Sequence, residues 1–175
     1  MSAGYSVRDA VTPVTAQDVR PALDAVDRRI LTALSADARL PNNALAERVG
    51  VAPSTCLARV RALRQRGVIR GYSADVDPAA LGRPLQAMIA VRLQSGARGH
   101  LSRFATRMAS LPEVLDVYFL GGADDFLVHV AARGSDDMRD FVVHHLSTDP
   151  DVAMTETHLI FDHARGAFGR DAALL

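Results

Sequence analysis

With 175 residues and 49% hydrophobic content, the chain carries enough apolar material for one large or two small folded cores, which excludes disorder throughout. Its formal charge is zero, yet residues 24 to 72 hold nine arginines against four acids and residues 86 to 175 hold eight against twelve. That polarity suits one module that touches nucleic acid and another that does not. A lone cysteine, Cys56, excludes an intrachain disulfide. No apolar run reaches the ~18 residues of a membrane span and residues 1 to 11 lack the apolar segment of a signal peptide, so a cytoplasmic protein is expected.

Residues 1 to 22 mix Ser, Gly, Thr, Pro13 and Pro21 with few large apolar groups and are expected to form a flexible N-terminal extension. A DNA-binding domain is expected over 23 to 72. Asp24 is placed to cap a first helix with Asp27 three positions on, and Val26, Ile30, Leu31 and Leu34 form its buried stripe. A second helix carries Leu45, Ala46 and Val49 on one face and ends at Gly50, the residue type that most readily turns left-handed. Pro53 then suits the first turn of a third helix running to Gly67. Its apolar side is Cys56, Leu57, Val60 and Leu63. Its outward side is Ser54, Thr55, Ala58, Arg59, Arg61, Ala62, Gln65 and Arg66, short residues first and guanidinium groups farther along. Short side chains allow close approach to base edges, and arginines reach guanines or phosphates. Two helices around a tight corner in this order form a helix-turn-helix.

The segments LDAVDRRILTAL and LAERVGVAPSTCLARVRALRQRGVIRGYSADVDPAALG resemble the N-terminal domain of the Lrp/AsnC, or feast/famine, transcriptional regulators, and the similarity extends over residues 23 to 165. It implies a winged helix-turn-helix followed by a ligand-sensing domain, and a wing strand around Val68, Ile69 and Tyr72 that pairs with its twin in a dimer. Where the family usually has a serine cap on the recognition helix, this chain has Ala52. The resemblance further implies binding of double-stranded DNA at a near-palindromic site. It also implies homodimers assembling into tetramers or octamers.

Residues 73 to 84, with Pro78 and Gly82, read as a hinge, and a second domain is expected over 85 to 175. Ala87, Ile89, Val91 and Leu93 alternate with more polar neighbours as a half-buried strand does. Leu101, Phe104, Ala105 and Met108 follow a helical period, Val114 to Leu120 and Phe126 to Arg133 read as strands about a Gly121–Gly122 loop, and Ser135 opens a helix turning Met138, Phe141, Val142 and His145 inward. A last strand spans Val152 to Asp162. The order βαββαβ predicts an α+β, ferredoxin-like sheet with both helices on one face. Met88 and Ala90 on the bare face call for a partner chain.

The loop LGGADDF is similar to the family's glycine and aspartate turn, which lines an amino-acid pocket between subunits. Carried over, the effector-binding residues are Phe119, Leu120, Gly121, Gly122 and Asp125, with Thr155 and Thr157 from a neighbouring subunit as walls. The family commonly has an acid directly after the second glycine, where this chain has Ala123. Glycine N–H groups can approach a ligand carboxylate, and Asp125 can pair with its ammonium; a plain Gly-Gly hairpin with solvated acids is the other reading of the same residues. No cofactor and no metal site is expected: His144 and His145 point apart on a helix, and His129, His158 and His163 lack a ligand pair nearby. Neither a phosphate-binding glycine loop nor a nucleophile motif is present, so the chain is not expected to be an enzyme. The leading reading is a sequence-specific regulator responsive to an amino acid. An architectural nucleoid-type protein and an enzyme like the siroheme decarboxylases, which share this two-domain layout, are the alternatives.

Overall fold

A computed structural model of the protein describes residues 22–164 and 166. Most of the expected N-terminal extension, residues 1–21, lies outside the described residues, as does most of the chain beyond Ala164. The described chain divides between Asp75 and Val76 into two compact units. None of its helices is long and apolar enough to cross a membrane.

The first unit is three helices, α1 (Ala25–Ala36), α2 (Asn42–Val49) and α3 (Pro53–Gln65). Asp24 caps α1 by accepting from the N–H groups of Val26 (2.9 Å) and Asp27 (2.8 Å). Leu45, Ala46 and Val49 of α2 are at most 3% exposed and meet Ile30, Ala33, Cys56 and Leu63 in one small core. Gly50 ends α2 at φ 73°, ψ 42°, and the Val51 N–H bonds back to Ala46 O at 3.0 Å, which turns the chain toward α3. Gly67 repeats the device after α3: at φ 68° it lets the N–H groups of Val68 and Ile69 both reach Leu63 O, at 2.9 and 3.2 Å. Val68 and Ile69 then pack on the core, so the segment expected as a wing strand forms no ladder among the described residues. A single strand has nothing to pair with inside one copy of this domain.

The second unit is a four-stranded antiparallel sheet in the order β2-β3-β1-β4, from β1 (Leu85–Leu93), β2 (Val114–Phe119), β3 (Phe126–Ala132) and β4 (Val152–Ile160). The two helices α4 (Leu101–Ala109) and α5 (Ser135–Val142) complete the ferredoxin-like order. Ala87, Ile89 and Val91 are fully buried, as the alternation predicts, against Phe126, Val128 and Val130 of β3 and Phe104 and Met108 of α4. Register puts Met88 opposite His129 and His158, and Ala90 opposite Leu127 and Glu156, on the face away from that core. Tyr118 and Met154 of the same face are 45% and 47% exposed.

One inward residue differs from expectation. After Val142 the helix continues as a π-turn, Val143–Ser147, whose extra residue per turn advances the phase by one position. Leu146 therefore enters the core at 0% exposure, while the expected His145 sits half-buried with its ring 5.1 Å from that of Phe141.

Candidate nucleic-acid interface and effector loop

One contact and one backbone step fix the corner between α2 and α3. The Asn42 side chain donates to Pro53 O at 2.9 Å, tying the two helix starts together, and Gly50 supplies the left-handed step. Ala52 is the cap residue of α3 with an extended backbone (φ −64°, ψ 145°) and no side-chain acceptor, and Pro53 opens the first turn.

Cys56 and Leu63 are fully buried and define the inner line of α3. At 100° per residue the opposite line is Ser54, Ala58, Arg61 and Gln65, all exposed. Thr55 is exposed at its margin and Ala62 half-buried. Leu57, expected in the core, is instead 40% exposed beside Ser54 and Arg61, because it stands about 100° from Cys56 and the small core does not reach that far.

Arg59 and Arg66, expected to face outward, lie on the flank of α3 turned toward α1. Arg59 Nη1 bonds Asp24 Oδ2 and, at 3.0 Å, Asp27 Oδ1, while Arg66 Nη1 stands 3.7 Å from Asp27 Oδ2. Asp27 is 7% exposed, so α1 offers a buried carboxylate to two guanidinium groups seven positions apart on α3. The Asp27 N–H and then the Arg59 guanidinium hold the Asp24 carboxyl below its ordinary value, and Asp24 and Asp27 together push Arg59 up. The sequence held the signal: acids at i, i+3 on one helix and arginines at i, i+7 on another form two stripes that can meet. Burial likewise raises the Cys56 thiol, an inert core group rather than a reactive one.

In the second unit the loop between β2 and β3 is pinned to β1. Leu120 N–H bonds Asp125 O (2.9 Å), Asp125 N–H bonds Val91 O (2.9 Å), and the Asp125 carboxylate accepts from Leu93 N–H (2.8 Å) at a bulge in β1. Arg92 donates to Ala123 O at 2.8 Å and stands 3.5 Å from Asp124. Neither Gly121 nor Gly122 has a positive φ, and a Cβ on either would meet nothing within 4 Å. Nothing inside the chain therefore requires glycine there. Phe119 is 52% exposed beside Phe126, with ring centroids 5.4 Å apart. Phe119, Leu120, Gly121, Gly122 and Asp125 gather at one end of the sheet. Thr155 and Thr157 stand on β4, three strand spacings from β2, or roughly 14 Å, so one chain does not bring all seven together. Among the described residues no three His, Cys, Asp or Glu side chains gather as a metal site requires.

Two family models match the chain, a winged helix-turn-helix DNA-binding model over residues 23–70 and an Lrp/AsnC ligand binding domain model over residues 86–165. The HTH-type transcriptional regulator AldR of Mycolicibacterium smegmatis is 58% identical over 95% of this chain and 98% of its own length. The crystal structure of the Mycobacterium tuberculosis AldR superposes with a TM-score of 0.75 at 56% identity, covering 85% of this chain and 99% of that one. A transcriptional regulator from Neisseria meningitidis in complex with L-methionine superposes with a TM-score of 0.76 at 30% identity, covering 85% and 96%.

Proposed function

Because this chain belongs to the Lrp/AsnC family of transcriptional regulators, we propose that α3 enters the major groove with Ser54, Ala58, Arg61 and Gln65 toward the base edges, and that an amino acid at the Gly121–Gly122 loop sets DNA affinity or assembly. The observation that carries the reading is the exposed line of short residues and arginine on α3, opposite a fully buried Cys56–Leu63 line, on a corner held by Gly50 and Asn42. Such a line presents hydrogen-bonding groups to base edges without disturbing the core. Arg59 and Arg66 act as supports for the helix, and their link to DNA is indirect.

The effector loop is supported by the two glycines, whose small size answers to no contact within the chain and leaves room for a ligand or another chain. One Asp125 oxygen serves Leu93, so the carboxylate is already oriented for an ammonium on its other oxygen. Thr155 and Thr157 complete the pocket from a second copy. The bare sheet face around Met88, Leu127, Tyr118 and Met154 is the surface through which copies associate.

Selection of bound sites from a random duplex pool, followed by anisotropy titration on the recovered sequence with each amino acid in turn, tests the reading. Recovery of near-palindromes whose affinity shifts with one amino acid is expected. Equal affinity for selected and random duplexes would leave an architectural protein instead.

A further inference from the structure

Arg61, Arg64 and Gln65 of α3 and Ile69 and Arg70 of the segment after it line an open groove of about 370 Å³. The groove exists because the left-handed Gly67 reverses the chain, and the bonds from Val68 and Ile69 to Leu63 O hold Arg70 back beside the last turn of α3. Half-buried Ile69 belongs to the core cluster and gives the groove an apolar wall.

Among the described residues the arginines divide into those beside a carboxylate and those without one, and of the second kind Arg61, Arg64 and Arg70 line a common groove while Arg28, Arg29, Arg39 and Arg48 stand outside it. Arg59, Arg66, Arg83, Arg92, Arg103, Arg107, Arg133 and Arg139 each stand within 4.0 Å of a carboxylate. Among the described residues, none pairs with Arg61, Arg64 or Arg70. Three guanidinium groups without a carboxylate partner, from two segments, line one concavity and concentrate positive potential there, which favours an anion. A guanidinium fork matches phosphate oxygens, and the Gln65 amide adds a neutral donor.

We propose that this groove seats a DNA backbone phosphate, held chiefly by Arg64 and Arg70, with Arg61 at the boundary between backbone and bases. The inference rests on the reading of α3 as the major-groove helix and adds the register anchor beside it. Arg64 and Arg70 then carry affinity without sequence preference, since every nucleotide has the same phosphate.

The test is anisotropy titration of the full-length protein and its Arg64→Ala, Arg70→Ala and Arg39→Ala variants over a range of salt, on the selected site and on a random-sequence duplex, with circular dichroism to show each variant folded. Arg39 is an exposed arginine outside the groove and controls for net charge. Loss of one phosphate contact flattens the dependence of log K on log salt by about 0.9, and both groove variants should lose equal factors of affinity on the two duplexes. A slope equal to that of Arg39→Ala overturns the proposal. So does a loss confined to the selected site, which would make the residue a base reader. Inorganic phosphate that binds in an Arg64- and Arg70-dependent way, with the DNA slope unmoved, would make the groove a free-anion site instead. Failure of the unaltered protein to bind either duplex would defeat the major-groove reading itself, and this inference with it.

Discussion

Asp27 of α1 and Arg59 of α3, 3.0 Å apart, join the supporting helix to the recognition helix through an acid whose side chain is only 10% exposed. A second carboxylate, Asp24, bonds the same guanidinium from the surface, its side chain 51% exposed. The two acids look equivalent by geometry but differ in burial. An exposed pair gains little, while a buried charge stripped of its partner is costly.

Asp27→Asn should therefore lower the melting temperature of the DNA-binding unit by several degrees, and Asp24→Asn by less, because asparagine can still cap α1. Arg59→Ala should follow Asp27→Asn, weakening DNA binding only in proportion to the folded fraction lost. Thermal melts of the three variants give the ranking. A larger effect for Asp24→Asn would show that burial is not what decides here.

Ala52→Ser should stabilise the same unit by about 0.5–2 kcal/mol, since the cap position is extended, exposed and without an acceptor. Chemical denaturation reads this directly. No gain in midpoint would mean that water already serves the first-turn N–H groups as well as a hydroxyl would.

Much of this was legible locally. Ala87, Ile89, Val91 and Leu93 announce a strand because a period of two is its own geometry, and Gly50 and Pro53 mark helix limits because backbone conformation alone favours them there. What escaped depends on distant groups. Asp27 looks like a helix-start acid until Arg59, 32 positions away, is brought to it, and Leu57 looks like core until the size of that core is known. The exchange of His145 for Leu146 follows from a π-turn, which no periodicity encodes. Of the seven residues proposed for the effector, the five near the loop are neighbours in sequence and in space. Thr155 and Thr157 are far from them in sequence and stand on β4, at the opposite edge of the sheet from β2.

Gly121→Ala should leave stability within about 0.5 kcal/mol of the parent, since neither its φ nor any atom within 4 Å resists a methyl group. The same change should weaken the effector at least about tenfold, or ~1.4 kcal/mol, and alter ligand-dependent assembly. Calorimetry with the amino acid found by screening, and light scattering on the same samples, check both halves. Unchanged affinity would return the loop to a plain turn.

Acid sensitivity should be traceable to Asp137, whose carboxyl Arg133 holds at about 2 against an ordinary 3.8. A depressed value means that the stabilisation is complete above about 4 and drains away as pH falls toward 2. The amplitude is small because the pair is exposed to solvent. The difference in melting temperature between the parent and Asp137→Asn should shrink over that window. A difference independent of pH would mean that the ion pair contributes nothing.

The anchoring of the β2–β3 loop sets how much freedom the proposed effector would have to take away. Arg92 holds Ala123, and Leu93 and Val91 hold Asp125, so the unrestrained part of the loop is Gly121 and Gly122 alone. Ordering two residues costs roughly 2–4 kcal/mol of conformational entropy, where a loop loose from Leu120 to Asp125 would cost about three times as much. A molecule as small as an amino acid has few atoms with which to offset such a loss, so the clamp by β1 would bring the proposed recognition within its reach.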